Sequence, residues 1–217
     1  MHYKISREIV IKTENAAKPE SQSSSYLKAL ILSLPTVDSS FDCGCGKLRY
    51  RDVILETTNT LAIVDSEIQL SRQQSLKGQK ISIRDKERRS NRVTVHNDDE
   101  FKKLKQRFDR GYCINVLSVI PFYVKRKEVV EVIRSKLKRN GSCLFVVQYR
   151  NSDFSRMQSM PNARPFRDGF LIDSMRGFSF YGLIKPERLQ SLVEEAGFLV
   201  HHVHLNEGSV YLCAIRK

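Results

Sequence analysis

A chain of 217 residues with 41% hydrophobic content is long enough for one domain with a sizeable core. Its formal net charge of +13 favours contact with polyanions such as nucleic acid and says nothing of fold. No apolar run is long enough to span a bilayer, and the opening MHYKISREIVIKTEN alternates charge with apolar residues, unlike a secretory signal. Five irregularly spaced cysteines form no complete disulfide framework, so the expectation is a cytoplasmic protein with free thiols and no membrane partner.

In chain order, residues 1–25 read as a leader, its polar part Lys18 to Ser25 able to close over a ligand. Helical periodicity covers Tyr26 to Leu34, and Ser40 to Cys43 then ends a strand in the loop SSFDCGCGK. Apolar, largely β-branched runs at Leu61 to Val64, Val93 to Val95, Cys113 to Ile120 and Cys143 to Val147 predict strands. Their continuous hydrophobicity predicts burial on both faces, as in a parallel sheet.

Between these runs, Phe101, Leu104 and Phe108 stripe a helix over Glu100 to Phe108. Val129, Val130, Ile133 and Leu137 stripe another over Lys127 to Leu137 that exits at Asn140-Gly141. Residues 150–182 are the least regular and read as an ordered insertion on the substrate side. Pro186 opens a helix over Glu187 to Ala196, closed by Gly197. Phe198 to His204 and Ser209 to Ile215 are strands joined by a link short enough for a hairpin, which makes the last strand antiparallel. The alternation of strands and helices predicts one α/β domain over residues 26–217, an open sheet with helices on both sides.

The loop SSFDCGCGK admits three chemistries. Cys43-x-Cys45 offers two soft metal ligands, but no second pair completes a tetrahedral site, and the spacing is not that of a redox dithiol. His202 and His204 share one strand face while His201 points away without an acidic partner, so the expectation is no metal. A cofactor loop uses the remaining residues: the glycines turn the chain with N–H groups exposed, and Asp65 closes the next strand about twenty residues on, where a carboxylate meets ribose hydroxyls. A dinucleotide site would want a third glycine near Arg49.

Phe41-Asp42-Cys43-Gly44-Cys45-Gly46 resembles the first motif of class I S-adenosylmethionine-dependent methyltransferases, an apolar strand ending in acid-x-Gly-x-Gly. Leu61 to Ser66, Val93 to Asp98, Tyr112 to Phe122, Lys136 to Gly141 and Leu189 to Phe198 resemble later segments of that family in order, over residues 26–217. The resemblance implies a Rossmann-like three-layer sandwich with a mostly parallel seven-stranded sheet and S-adenosylmethionine as cofactor. By the same resemblance Asp42, Cys43, Gly44 and Gly46 would cradle the methionine part, Asp65 with Ser66 the ribose, and Asn97 and Asp98 the adenine edge, while Ser118 would face the sulfonium. Base-amine methyltransferases carry polar, any residue, Pro, aromatic after the fourth strand. Here Val119 stands at the polar position before Pro121, which leaves stacking by Phe122 or Tyr123 as an option and names no catalytic base; His96 is the one candidate.

Two basic regions bear on the acceptor: Arg72 to Arg92, and Arg150 to Tyr181, where Arg156, Arg164, Arg167 and Arg176 interleave with Phe154, Phe166, Phe170, Phe178 and Tyr181. Arginine with aromatics suits phosphate pairing and base stacking. The first expectation is therefore a nucleic-acid acceptor, RNA ahead of DNA. The second is a small molecule under a lid, and the third a silent binding module, against which the intact glycine and acid set argues.

Overall fold

The computed structural model describes residues 2–150 and 152–217, with the side chains at 152–154, Phe154 among them, outside that description. β1 (His2–Lys4) and β2 (Val10–Lys12) pair as an antiparallel hairpin. Two 3-10 turns, Thr13–Ala16 and Glu20–Gln22, lead into α1 (Ser25–Leu32), where the Ser24 hydroxyl caps the helix by accepting the Leu27 N–H at 3.2 Å. The chain continues through β3 (Val37–Cys43), α2 (Arg51–Leu55), β4 (Thr58–Asp65) and α3 (Glu67–Ser71). A small hairpin of β5 (Gln74–Leu76) and β6 (Gln79–Ile81) precedes α4 (Ile83–Glu87), β7 (Val93–Asn97) and α5 (Asp98–Lys103). Then come β8 (Phe108–Ile114), α6 (Tyr123–Lys136) and β9 (Leu137–Gln148). The insertion holds α7 (Ser152–Gln158) and the strands β10 (Ala163–Phe166), β11 (Gly169–Ile172) and β12 (Ser179–Gly182), an antiparallel three-stranded sheet. α8 (Pro186–Glu195), β13 (Phe198–Asn206) and β14 (Ser209–Arg216) complete the fold.

The main sheet has seven strands in the order β13-β14-β9-β8-β3-β4-β7. The four pairings among β9, β8, β3, β4 and β7 are parallel, and β14 runs antiparallel to both of its neighbours. Pleating sends alternate side chains to opposite faces. Phe41, Ala62, Val64, Cys113, Phe145 and Leu212 therefore join one core with α5, α6 and α8. Leu61, Ile63, Tyr112, Leu144 and Tyr211 join the other with α1 to α4. Two cores, one on each face, are why these strands read as continuously apolar.

Three expected boundaries are corrected. The strand expected over Cys113 to Ile120 is β8, ending at Ile114; Asn115 turns at φ 60° and a 3-10 turn, Leu117–Val119, follows. The helix expected over Glu100 to Phe108 stops at Lys103, because Phe108 is the first residue of β8 and packs its ring 5.3 Å from that of Phe41. The helix expected to exit at Asn140-Gly141 ends at Lys136: Leu137 is already extended, and Asn140, at φ 61°, marks an irregularity inside β9.

Candidate functional site

The cavity lies at the carboxyl ends of β3, β4 and β8, where open α/β sheets bind ligands. Its floor is the loop after β3. Gly44 adopts φ 78° and Gly46 φ 57°, conformations glycine reaches without penalty. A β-carbon at Gly44 would lie 2.3 Å from Cγ2 of Val116, so the loop after β8 packs directly against the missing side chain. The Asp65 carboxylate accepts the Gly46 N–H at 2.9 Å and the Ser66 N–H at 2.8 Å, fixing the loop against the end of β4. From below, Gln69 donates to the Gly46 carbonyl and to Gln74 Oε1.

Three carboxyls of the floor carry raised pKa values. Asp42 is pushed from 3.8 to about 7 by burial and by Asp65, against the pull of Arg49. Asp65 is pushed to about 6, burial outweighing the two N–H donors. Burial also raises Asp98. The Cys43 and Cys45 thiols, deeply buried and near these acids, are held well above their usual range and stay protonated. No group of three metal-ligating side chains occurs among the described residues, the histidines of β13 included. His204 instead meets the Tyr26 hydroxyl at 2.6 Å and stacks on Tyr211.

Of the sequence candidates, Asp42, Cys43, Gly44, Gly46, Asp65, Ser66 and Asp98 line this cavity. Asn97 and Ser118 do not. Asn97 spends its side-chain oxygen capping α5, accepting the N–H groups of Asp99 and Glu100 at 3.1 and 2.9 Å, with its amide on Glu67 at 3.0 Å. Ser118 sits in the 3-10 turn beneath the cavity wall, 4% exposed. Because β8 ends four residues before Ser118, the residues of this segment that reach the cavity are Ile114, Asn115, Val116, Val119 and Ile120. His96 is likewise outside the cavity lining, its ring 3.0 Å from the Thr94 hydroxyl.

The substrate-side candidates divide. Phe122 packs edge-on to Tyr3 and beneath the Arg167 guanidinium, 4.9 Å away, close to the cavity rim. Tyr123 turns outward, donating to Glu195 at 2.8 Å. Arg164 covers the Phe178 ring at 5.5 Å, Arg156 is exposed on α7, and the Arg176 carbonyl accepts from Asn15 at 2.9 Å. These arginines line no common surface with the floor acids.

The leader was expected to cover a ligand through Lys18 to Ser25, but the covering residues lie earlier: Tyr3, Glu14, Ala17 and Lys18, from a strap of β1, β2, the first 3-10 turn and the two residues after it, line the cavity from above. The strap is held by the Lys12 N–H on the Phe178 carbonyl at 2.8 Å and by Arg72 Nη2 on the Glu14 carbonyl at 3.0 Å. A period-2 pattern in residues 2–4 and 10–12, with Tyr3 and Ile11 inward, was the available signal.

Among the described residues, buried side-chain oxygens without a partner in the cavity lining are Glu14 Oε2, Gln69 Oε1 and Asn115 Oδ1. All three are acceptors. A ligand here must bring N–H or O–H donors, since an unsatisfied buried acceptor carries a desolvation cost of about 1–3 kcal/mol.

No family model matches the chain. The chain is 32% identical over 204 residues to the Escherichia coli K12 protein YmfD, described as uncharacterized, covering 93% of this chain and 90% of YmfD. Among solved structures it superposes on PH0226 from Pyrococcus horikoshii OT3 with a TM-score of 0.68 at 16% identity, over 92% of this chain and 94% of that one. It superposes on SAM-bound CalS10, an amino pentose methyltransferase from Micromonospora echinaspora, with a TM-score of 0.60 at 14% identity, over the whole of both chains. Against the pyocyanin biosynthetic protein PhzM, at TM-score 0.60, the chain spans about half (54%) of the longer protein. No helix among the described residues is long and apolar enough to cross a membrane. The seven-stranded order, the glycine loop with its strand-end acids, and the 32% identity to YmfD place the chain in one family with that protein, built on the class I S-adenosylmethionine-dependent methyltransferase fold.

Proposed function

We propose that this protein is an S-adenosylmethionine-dependent methyltransferase acting on a small-molecule acceptor. The observation that carries the reading is the cavity floor: a glycine loop whose N–H groups, contrary to the expectation of free donors, are bonded to the Val64 carbonyl and to Asp65, flanked by the strand-end acids Asp42 and Asp65, in a lining whose unpartnered buried side-chain atoms, among the described residues, are all acceptors. The cofactor fits that donor set. Its ammonium, ribosyl hydroxyls and adenine amine are donors, and its sulfonium and ammonium are cations suited to a cavity that holds four carboxyl groups. CalS10 and the N-methyltransferase NodS, solved with SAM and SAH, share the fold and support the same cofactor here.

The bound cofactor would supply a methyl group activated by the positive sulfur. The chain's part is alignment and exclusion of water. Asp42 and the Gly44 to Gly46 backbone would hold the amino-acid end, and Asp65 the ribose, whose hydroxyls would compete for the carboxylate now bonded to Gly46 and Ser66. Val116, Val119, Ile120 and Tyr3 form the apolar wall against which an acceptor body would rest. No histidine lines the cavity, so removal of an acceptor proton falls to a carboxyl such as Asp98 or to solvent.

The small acceptor is favoured over nucleic acid for two reasons. Strap residues Tyr3, Glu14, Ala17 and Lys18 stand over the cavity, and the exposed arginines Arg164 and Arg167 lie on rings of their own insertion and of Phe122. Among fold relatives, CalS10 is an amino pentose methyltransferase and an O-methyltransferase from Planctomyces limnophilus was solved with apigenin, both small-molecule ligands. Calorimetry with S-adenosylhomocysteine tests the cofactor, and absence of binding at about 1 mM by folded protein overturns the reading. Labelled-methyl transfer into the small-molecule fraction of a cell extract, with RNA and DNA unlabelled, is the expected acceptor result; label in nucleic acid overturns it.

A further inference from the structure

The roof contributes one acidic group that the floor motif does not contain. Glu14 sits in the 3-10 turn after β2 and is 8% exposed. Its backbone carbonyl is fixed by Arg72, and one carboxylate oxygen meets the His2 ring at 2.8 Å. Burial works to raise its pKa, but the His2 hydrogen bond and the local backbone N–H outweigh it, so the group is held below its usual range and carries charge. The second oxygen, Oε2, is buried and without a partner, and Glu14 lines the cavity.

Its place over the floor follows from neighbouring contacts. Ala17, one turn on, lies 3.7 Å from where a β-carbon of Gly46 would stand. Gly46 is bonded to Asp65, and Arg72 feels the charges of both Glu14 and Asp65. Glu14 therefore faces the Asp65 end of the cavity from above. A charged oxygen that is desolvated and unpaired is stable only when a donor reaches it.

We infer that the free oxygen of Glu14 accepts a hydrogen bond from a ribosyl hydroxyl of the methyl donor, so that the strap over residues 2–18 closes on the donor as it binds. The inference rests on the cofactor reading above and adds to it a second carboxylate, opposite Asp65, delivered by a separate segment. Strap docking and donor binding are then one coupled equilibrium. The strap's own ties, the Lys12 to Phe178 bond, the Asn15 to Arg176 bond and the Arg72 to Glu14 bond, all reach the insertion or α3, so donor occupancy is communicated to the acceptor side.

The test is a cycle between protein and ligand. Calorimetry would compare S-adenosylhomocysteine with its 2′,3′-dideoxyribosyl analogue on wild type, Glu14→Ala and the isosteric Glu14→Gln. The expected result is a loss of about tenfold or more for S-adenosylhomocysteine on Glu14→Ala, a much smaller loss for the analogue, and an intermediate loss for Glu14→Gln. Limited trypsin cleavage after the exposed Arg7 should slow on adding S-adenosylhomocysteine to wild type and not to Glu14→Ala. Equal losses for both ligands, or unchanged affinity in folded Glu14→Ala and Glu14→Gln, would overturn the Glu14 role while leaving the cofactor reading intact. Failure of wild type to bind S-adenosylhomocysteine would overturn both.

Discussion

The guanidinium of Arg126 forms a two-point ion pair with Asp168, Nη2 donating to Oδ1 at 2.9 Å and Nη1 to the second oxygen. Arg126 is 3% exposed, and its Nε also donates to the Leu117 and Ile120 carbonyls at 3.0 and 2.7 Å. One side chain of α6 thus holds both the turn after β8, which supplies the cavity wall, and the β10–β11 turn. Arg126→Met should destabilise the protein by about 3 kcal/mol, because it strands two carbonyls and a carboxylate. Asp168→Asn, at a partly exposed partner, should cost about 1 kcal/mol. Thermal melts of the two variants check the ordering.

The floor acids make stability and ligand affinity oppose each other in pH. Asp42 and Asp65 have folded values of about 7 and about 6 against an ordinary 3.8, so the folded protein holds protons that the unfolded chain releases. Their contribution to stability is fully present below about pH 4 and is lost as pH rises through 6 and 7. A cationic ligand prefers the carboxylates and so binds more tightly over the same rise. The ligand-induced increase in melting temperature should be larger at pH 8 than at pH 5.5, with proton release visible as a buffer-dependent binding enthalpy. Asp42→Asn should flatten the trend.

The contact between Gly44 and Val116 makes the loop intolerant of even a methyl group. Gly44→Ala combines a left-handed backbone conformation with a clash against a β-branched neighbour, together worth about 3 kcal/mol. It should abolish S-adenosylhomocysteine binding in calorimetry. Cys43→Ala with Cys45→Ala should retain binding, since both thiols are buried and protonated and their role is to fill space.

The exposed arginines of the insertion give a further expectation. Arg164→Ala with Arg167→Ala removes three ring contacts, each worth about 0.5–1 kcal/mol at an exposed site. The double variant should melt slightly earlier and leave methyl transfer to a small acceptor nearly unchanged. A large, salt-dependent loss of RNA affinity in that variant would restore the polyanion expectation.

The core of the site was legible because its chemistry is local. Asp42, Gly44 and Gly46 stand within five residues, and Asp65 closes the neighbouring strand, so spacing alone brings them together once the strands are recognised. Asn97 lies outside the cavity lining because two demands meet at one residue: it ends β7 and caps α5, and capping takes up the side-chain oxygen. Ser118 falls outside the cavity lining because β8 ends early: within the mostly apolar run from Cys113 to Ile120, Asn115 takes the left-handed conformation asparagine favours and turns the chain after Ile114. Glu14 was invisible for a different reason. Its proximity to Asp65 depends on Lys12 meeting Phe178 and Arg72 meeting the strap, contacts between distant parts of the chain that no local period encodes.

β14 is the last strand in sequence and yet stands inside the sheet, between β9 and β13, antiparallel to both. During synthesis, β13 therefore has no partner in the sheet until residues 209–216 have left the ribosome, and the apolar face of α8 waits with it. A premature stop before Ser209 would remove more than an edge: it would leave the β9 face with Phe145 and Val147 and the β13 face with Phe198 exposed together, two sticky margins on one unfinished protein. Messages truncated there should give aggregates and degradation rather than a shortened enzyme.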